Sequence, residues 1–97
     1  MEITQTAVQE TLNTEDIEGL LELGAPGDEY SHEAKSIMSA LAGLHQNELT
    51  EDELASVVRT VWIRSFGPFS DVDIEKRSPA FRQVAHRLLK AQPLAAS

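Results

Sequence analysis

Apolar residues recur at helical spacing in three long segments of the chain, and no run alternates with the period of two that a strand requires. Over residues 50–66, Leu54, Val57, Val58, Val61, Trp62 and Phe66 form a wide apolar face, which predicts a central helix touched by more than one neighbour. Thr50 and Glu53 have the spacing of a capping box, and Leu49 and Leu54 that of a hydrophobic staple. Glu51, Asp52 and Glu53 place negative charge at the positive end of the helix dipole, and Gly67-Pro68 marks the stop. Over 79–91, Phe81, Val84, Ala85, Leu88 and Leu89 share one side. Ser78 reads there as N-cap, Pro79 as the first helical residue and Pro93 as the close. Over 31–45, Ala34, Ile37, Met38, Leu41 and Leu44 mark a buried stripe, with Asp28 and Ser31 both open as its cap. The other side of that helix is small and weakly polar (Ser36, Ser39, Ala40, Gly43), a surface that permits close approach of another element.

The N-terminal part carries weaker signals. Thr14 is placed to cap a short helix reaching Leu23, with Ile17, Leu20 and Leu21 inward and Gly24 as the stop. Gly19 inside it would cost about 1 kcal/mol relative to alanine. Residues 3–12 read as a helix or a frayed arm; 1–12 and 92–97 are the segments expected to fray. Residues 67–78 read as an irregular linker in which Val72 and Ile74 alternate with charge, so that a short extended piece fits. The expected fold is a single all-α domain over 1–97, a small helical bundle of three helices (about 31–45, 50–66 and 79–91) plus one or two short N-terminal helices.

Charge sharpens this picture because it is sorted by position. The chain has 16 acidic and 8 basic residues and a net charge of −8. Lys35 is the one base before residue 56, whereas from Lys76 onward there are only bases. Arg82, His86, Arg87 and Lys90, with Lys76 and Arg77 just before the last helix, therefore form a basic face, the candidate partner-binding surface. One reading of it is a solvated face partly neutralised by the acidic N-terminal half; as a binding surface a protein partner is expected, and nucleic acid is disfavoured because no aromatic residue is interleaved and the chain as a whole is acidic. Trp62 lies within the apolar face of its helix and reads as core, whereas Ile63 lies opposite that face.

Chemistry-bearing patterns are few. Cysteine is absent, which removes thiolate nucleophiles and cysteine-based zinc sites. Asp71-x-Asp73-x-Glu75 resembles the start of a calcium loop, but Lys76 and Arg82 occupy the positions that need Gly and Glu. Asp28, Glu29, His32 and Glu33 cluster without a His–His spacing, and their carboxylates suit a helix start. There is no phosphate loop and no nucleophile elbow. The reading is a non-enzyme with no cofactor and no metal. No basic-then-apolar leader and no apolar run of about 18 residues occur, so neither a signal peptide nor a membrane span is read, and a cytoplasmic monomer or homodimer is expected.

The stretch Asp16-Ile17-Glu18-Gly19-Leu20-Leu21, then Gly24-Ala25-Pro26-Gly27-Asp28-Glu29-Tyr30 and Glu33-Ala34, with Leu49-Thr50-x-x-Glu53-Leu54 downstream, resembles a group of small bacterial all-helical proteins of uncharacterised function. The resemblance covers about residues 16–66 and departs at Ile17, where the group usually has Pro. It implies a helical fold and no activity, and the occurrence of such proteins beside toxin genes implies an immunity-type alternative. In physical terms Pro26-Gly27 reverses the chain, while Asp28, Glu29 and Tyr30 form a candidate turn motif that caps, packs or meets a partner.

Overall fold

Four helices make up the computed structural model, which describes residues 3–44 and 49–91. They are α1 (Gln5–Glu15), α2 (Ser31–Leu41), α3 (Glu51–Phe66) and α4 (Asp71–Ala91), and no strand occurs among the described residues. Each helix packs against the next, and α4 closes the ring on α1. α3 runs antiparallel to both α2 and α4: Tyr30, just before α2, packs against Trp62 and Phe66 toward the end of α3, and Glu51 at the start of α3 meets His86 late in α4.

The 50–66 helix forms as its sequence predicts. Glu53 N–H donates to Thr50 Oγ1 (3.1 Å) and Thr50 N–H to Glu53 Oε1 (3.3 Å), closing the capping box. Gly67 ends the helix by donating its N–H to the Ile63 carbonyl (2.9 Å), and it approaches so closely that a Cβ there would collide with that oxygen. α2 stops at Leu41, earlier than the apolar stripe suggests, and Leu44 lies exposed in the turns that follow; His45 is outside the described residues. Neither Asp28 nor Ser31 caps α2, because Tyr30 occupies the N-cap position and makes no side-chain cap bond.

Two expectations are overturned. The segment 14–23 is not a helix. Instead 5–15 is, capped by Thr4 Oγ1 on the Ala7 N–H (3.1 Å), and Thr14 lies in its last turn with its hydroxyl on the Glu10 carbonyl (2.9 Å). Burial of Val8 and Leu12 ties α1 to the core, with Ile3 buried just ahead of it. The helix ends at Asp16, which adopts a left-handed conformation (φ 42°, ψ 55°) and returns its N–H to Leu12 O (2.8 Å). Aspartate tolerates that region better than most residues. Gly19 (φ 71°) then belongs to the turns that follow, where its missing side chain is an advantage.

The second correction concerns the last helix. It starts eight residues before the predicted N1 position, at Asp71, so that 71–78 is neither linker nor extended piece. Ser70 Oγ accepts from the Asp73 N–H (3.2 Å) and the Asp73 carboxylate accepts from the Ser70 N–H (3.4 Å). That reciprocal cap, with Asp71 and Asp73 in the first turn, outweighs the breaking tendency of Pro79. Ser78 is no cap; its hydroxyl donates back to the Ile74 carbonyl (2.9 Å).

The inner faces meet in one apolar core. Trp62 is fully buried at its centre, with Phe66 at 4.9 Å, Tyr30 at 5.6 Å and Phe81 at 6.4 Å between ring centroids. No helix of the described residues is long and apolar enough to cross a membrane.

Pro79 lies inside α4 and is exposed, so its ring contributes no core packing while it leaves the Glu75 carbonyl without its helical donor. Pro79→Ala is expected to stabilise the protein by about 1–2 kcal/mol, after allowing for the greater freedom of the unfolded chain. Urea denaturation checks this; an unchanged or lowered midpoint contradicts it.

Candidate functional site

The polar groups that converge most tightly come from the α1–α2 connection. Asp16, fixed by its place at the end of α1, accepts three hydrogen bonds. The Tyr30 hydroxyl donates to Oδ1 (2.6 Å), the Leu21 N–H to Oδ1 (3.1 Å) and the Glu22 N–H to Oδ2 (3.0 Å). The Tyr30 oxygen in turn accepts the Glu18 N–H (3.3 Å). Two residues along from Asp16, the Glu18 carboxylate accepts Trp62 Nε1 (2.7 Å) and a bidentate pair from Arg77, Nε at 2.7 Å and Nη2 at 2.9 Å. Arg77 is oriented by its own Nη1 on the Asp73 carbonyl (3.1 Å) and by the Phe69 ring, 4.4 Å beneath Cζ. Glu18 thus ties the loop to α3 and α4, while Asp16 closes the loop on itself and on Tyr30.

These contacts set the ionisation of the groups involved. Arg77 is the main cause holding Glu18 below the usual carboxylate range, against an opposing effect of burial, and the Trp62 N–H adds to it. For Asp16 burial acts against ionisation, but the Tyr30 hydroxyl and the loop N–H groups outweigh it and the pKa is lowered. Burial and the adjacent Asp16 push the Tyr30 phenol well above its ordinary value. Glu18 in turn raises Arg77. Each group is held in the state it already has at neutral pH.

The candidate basic face is largely engaged from within. Arg77 holds Glu18. Arg82 pairs with Asp52 (2.7 Å) and lies 3.7 Å from Glu51, whose other oxygen meets His86 Nδ1 (3.0 Å). Arg87 pairs with Glu15 (2.6 Å). Of the six candidate residues, Lys76 and Lys90 alone make no ion pair among the described residues. The acidic first half and the basic last helix meet inside one molecule.

The candidate turn motif divides. Tyr30 is fully buried, with its hydroxyl on Asp16, whereas Asp28 and Glu29 are exposed and make no ion pair among the described residues. Asn13 Nδ2 fastens the turn to α1 through the Gly27 carbonyl (2.9 Å). Leu23 stands 84% exposed in the same loop, the most exposed of the large apolar side chains described. Sequence reasoning missed Asp16, Glu18 and Leu23. The available signal was Asp16 one turn past Leu12, the last apolar position of an amphipathic stretch, with Gly19 three residues on, a pattern that suits a left-handed helix stop. No group of His, Asp and Glu able to hold a metal ion occurs among the described residues.

Carboxylates with lowered native pKa values contribute stability above about pH 4 and lose that contribution as pH falls through the native values. Glu18→Gln is expected to cost about 2 kcal/mol at pH 7 and to flatten the acid limb of the stability profile. Trp62, the one tryptophan, reports both by fluorescence in denaturant titrations. An equal acid dependence in the variant and the parent contradicts the assignment. Tyr30 is the one tyrosine, so phenolate absorbance titrates it alone. In the folded protein it is expected to stay protonated well above about pH 10, where free tyrosine ionises. Ordinary ionisation at that pH, with the helices intact, would refute the part-buried Asp16–Tyr30 bond.

Comparison with known proteins finds no match to the chain among protein-family models, curated proteins or solved structures.

Proposed function

We propose that this chain is a small, acidic, non-enzymatic protein-interaction module whose contact element is the α1–α2 loop. The observation that carries the reading is Leu23, 84% exposed on a loop fastened to the body by Asp16, Glu18, Asn13 and Tyr30. Holding an apolar side chain in water is unfavourable by about 25 cal/mol per Å² of its surface, and covering it releases that energy. A loop ordered before binding also loses little conformational freedom when a partner arrives. Glu22, Asp28 and Glu29 are exposed around the same loop, so the partner that fits is a protein with an apolar recess rimmed by lysine or arginine. The pairing of Arg77, Arg82 and Arg87 with carboxylates weighs against nucleic-acid contact through the last helix.

The unpaired carboxylates of this loop favour one second reading, an immunity-type role in which the acidic surface covers a basic toxin; association would then slow as salt rises.

The test compares the parent with Leu23→Asp as bait in the native cell. Leu23 adds nothing to the core, so the variant is expected to keep its unfolding free energy within about 0.5 kcal/mol of the parent. The parent should retain a discrete protein that the variant loses. Identical captures by the two baits contradict the proposal.

A further inference from the structure

A second surface lies between α2 and α3, a groove of about 500 Å³ away from the α1–α2 loop. Ser36, Ser39 and Ala40 line it from α2, and Ser56, Val57 and Thr60 from α3. The short side chains leave room for a helix to approach closely. At its end stands Arg64, which makes no ion pair among the described residues although acids outnumber bases two to one. Glu53 begins the same exposed ridge of α3, three turns before Arg64. At 1.5 Å per residue the two are about 16 Å apart along the helix, too far to pair within one chain.

This distribution is self-complementary. Acid stands at one end of the ridge, base at the other, and Ser56, Val57 and Thr60 carry no charge between them. When two copies of α3 cross antiparallel about a two-fold axis near Val57–Thr60, Glu53 of each copy faces Arg64 of the other. Each ridge then lies in the other copy's groove. Elsewhere the net charge of −8 opposes association, but this face is locally balanced, so the repulsion is long-range and screened by salt.

We infer that the α2–α3 groove is an isologous dimerisation surface whose occupant is α3 of a second copy of this chain, registered by reciprocal Glu53–Arg64 pairs. The inference stands independently of the role assigned to Leu23, since the two use different surfaces.

Sedimentation equilibrium of the whole chain at about 100 micromolar and physiological salt tests it. The parent should show about twice the 10.7 kDa of one chain. Arg64→Glu, at an exposed position, should keep its helical circular dichroism and weaken the dimer about tenfold, because two attractions become two repulsions. Glu53→Arg also removes a capping-box acceptor, so its thermal midpoint is followed alongside its mass. The charge-swapped Glu53→Arg/Arg64→Glu chain should recover the dimer. Monomer mass throughout, a dimer indifferent to Arg64→Glu, or a folded double variant that does not recover would each overturn the inference.

Discussion

The arrangement depends on the hold that a single carboxylate, Glu18, exerts on two other helices. It accepts the indole N–H of Trp62 and the guanidinium of Arg77, and each of those is anchored in turn, Trp62 by the aromatic core and Arg77 by Asp73 and Phe69. A partly buried ion pair of this kind is not a strong source of stability in itself, since desolvation offsets much of the attraction. Its effect is geometric. Trp62 could not bury its N–H without an acceptor, and the acceptor comes from a loop with little regular structure of its own. The loop is therefore fixed by the core, and the core is completed by the loop.

Much of the fold is readable from the chain, for local reasons. The capping box at Thr50–Glu53, the apolar face from Leu54 to Phe66 and the stop at Gly67 involve residues within a few positions of one another, where pattern and structure have the same cause. The errors arise where two local signals compete. Ser78-Pro79 has the form of a helix start, but Ser70 and Asp73 form a stronger one upstream, and the helix continues through the proline. Thr14 has the form of a cap, but burial of Val8 and Leu12 draws the preceding residues into a helix and makes Thr14 its end. Propensity alone does not rank such alternatives; tertiary burial does.

The candidate site was legible only in part. Charge sorting singled out the basic residues of the last helix, yet it could not reveal that Arg77, Arg82 and Arg87 face Glu18, Asp52 and Glu15. Those pairs span sequence separations that no local pattern encodes. The bonds from Tyr30 to Asp16 and from Trp62 to Glu18 are hidden for the same reason. Leu23 was misread because a helix over 14–23 would have turned it into an ordinary terminal residue.

The three arginines of α4 also determine how this molecule is able to move. Sliding α4 by one helical turn, about 5.4 Å, would break its pairs with α1, α3 and the loop together, so that helix is locked in register. α2 has no such fastening: among the described residues none of its side chains makes an ion pair or a hydrogen bond to another element, and apolar contacts through Ala34, Ile37 and Leu41 hold it. Contacts of that kind are non-directional and tolerate small displacements. Shear within this protein therefore belongs to α2, the helix that forms one wall of the groove, while the other three act as its frame.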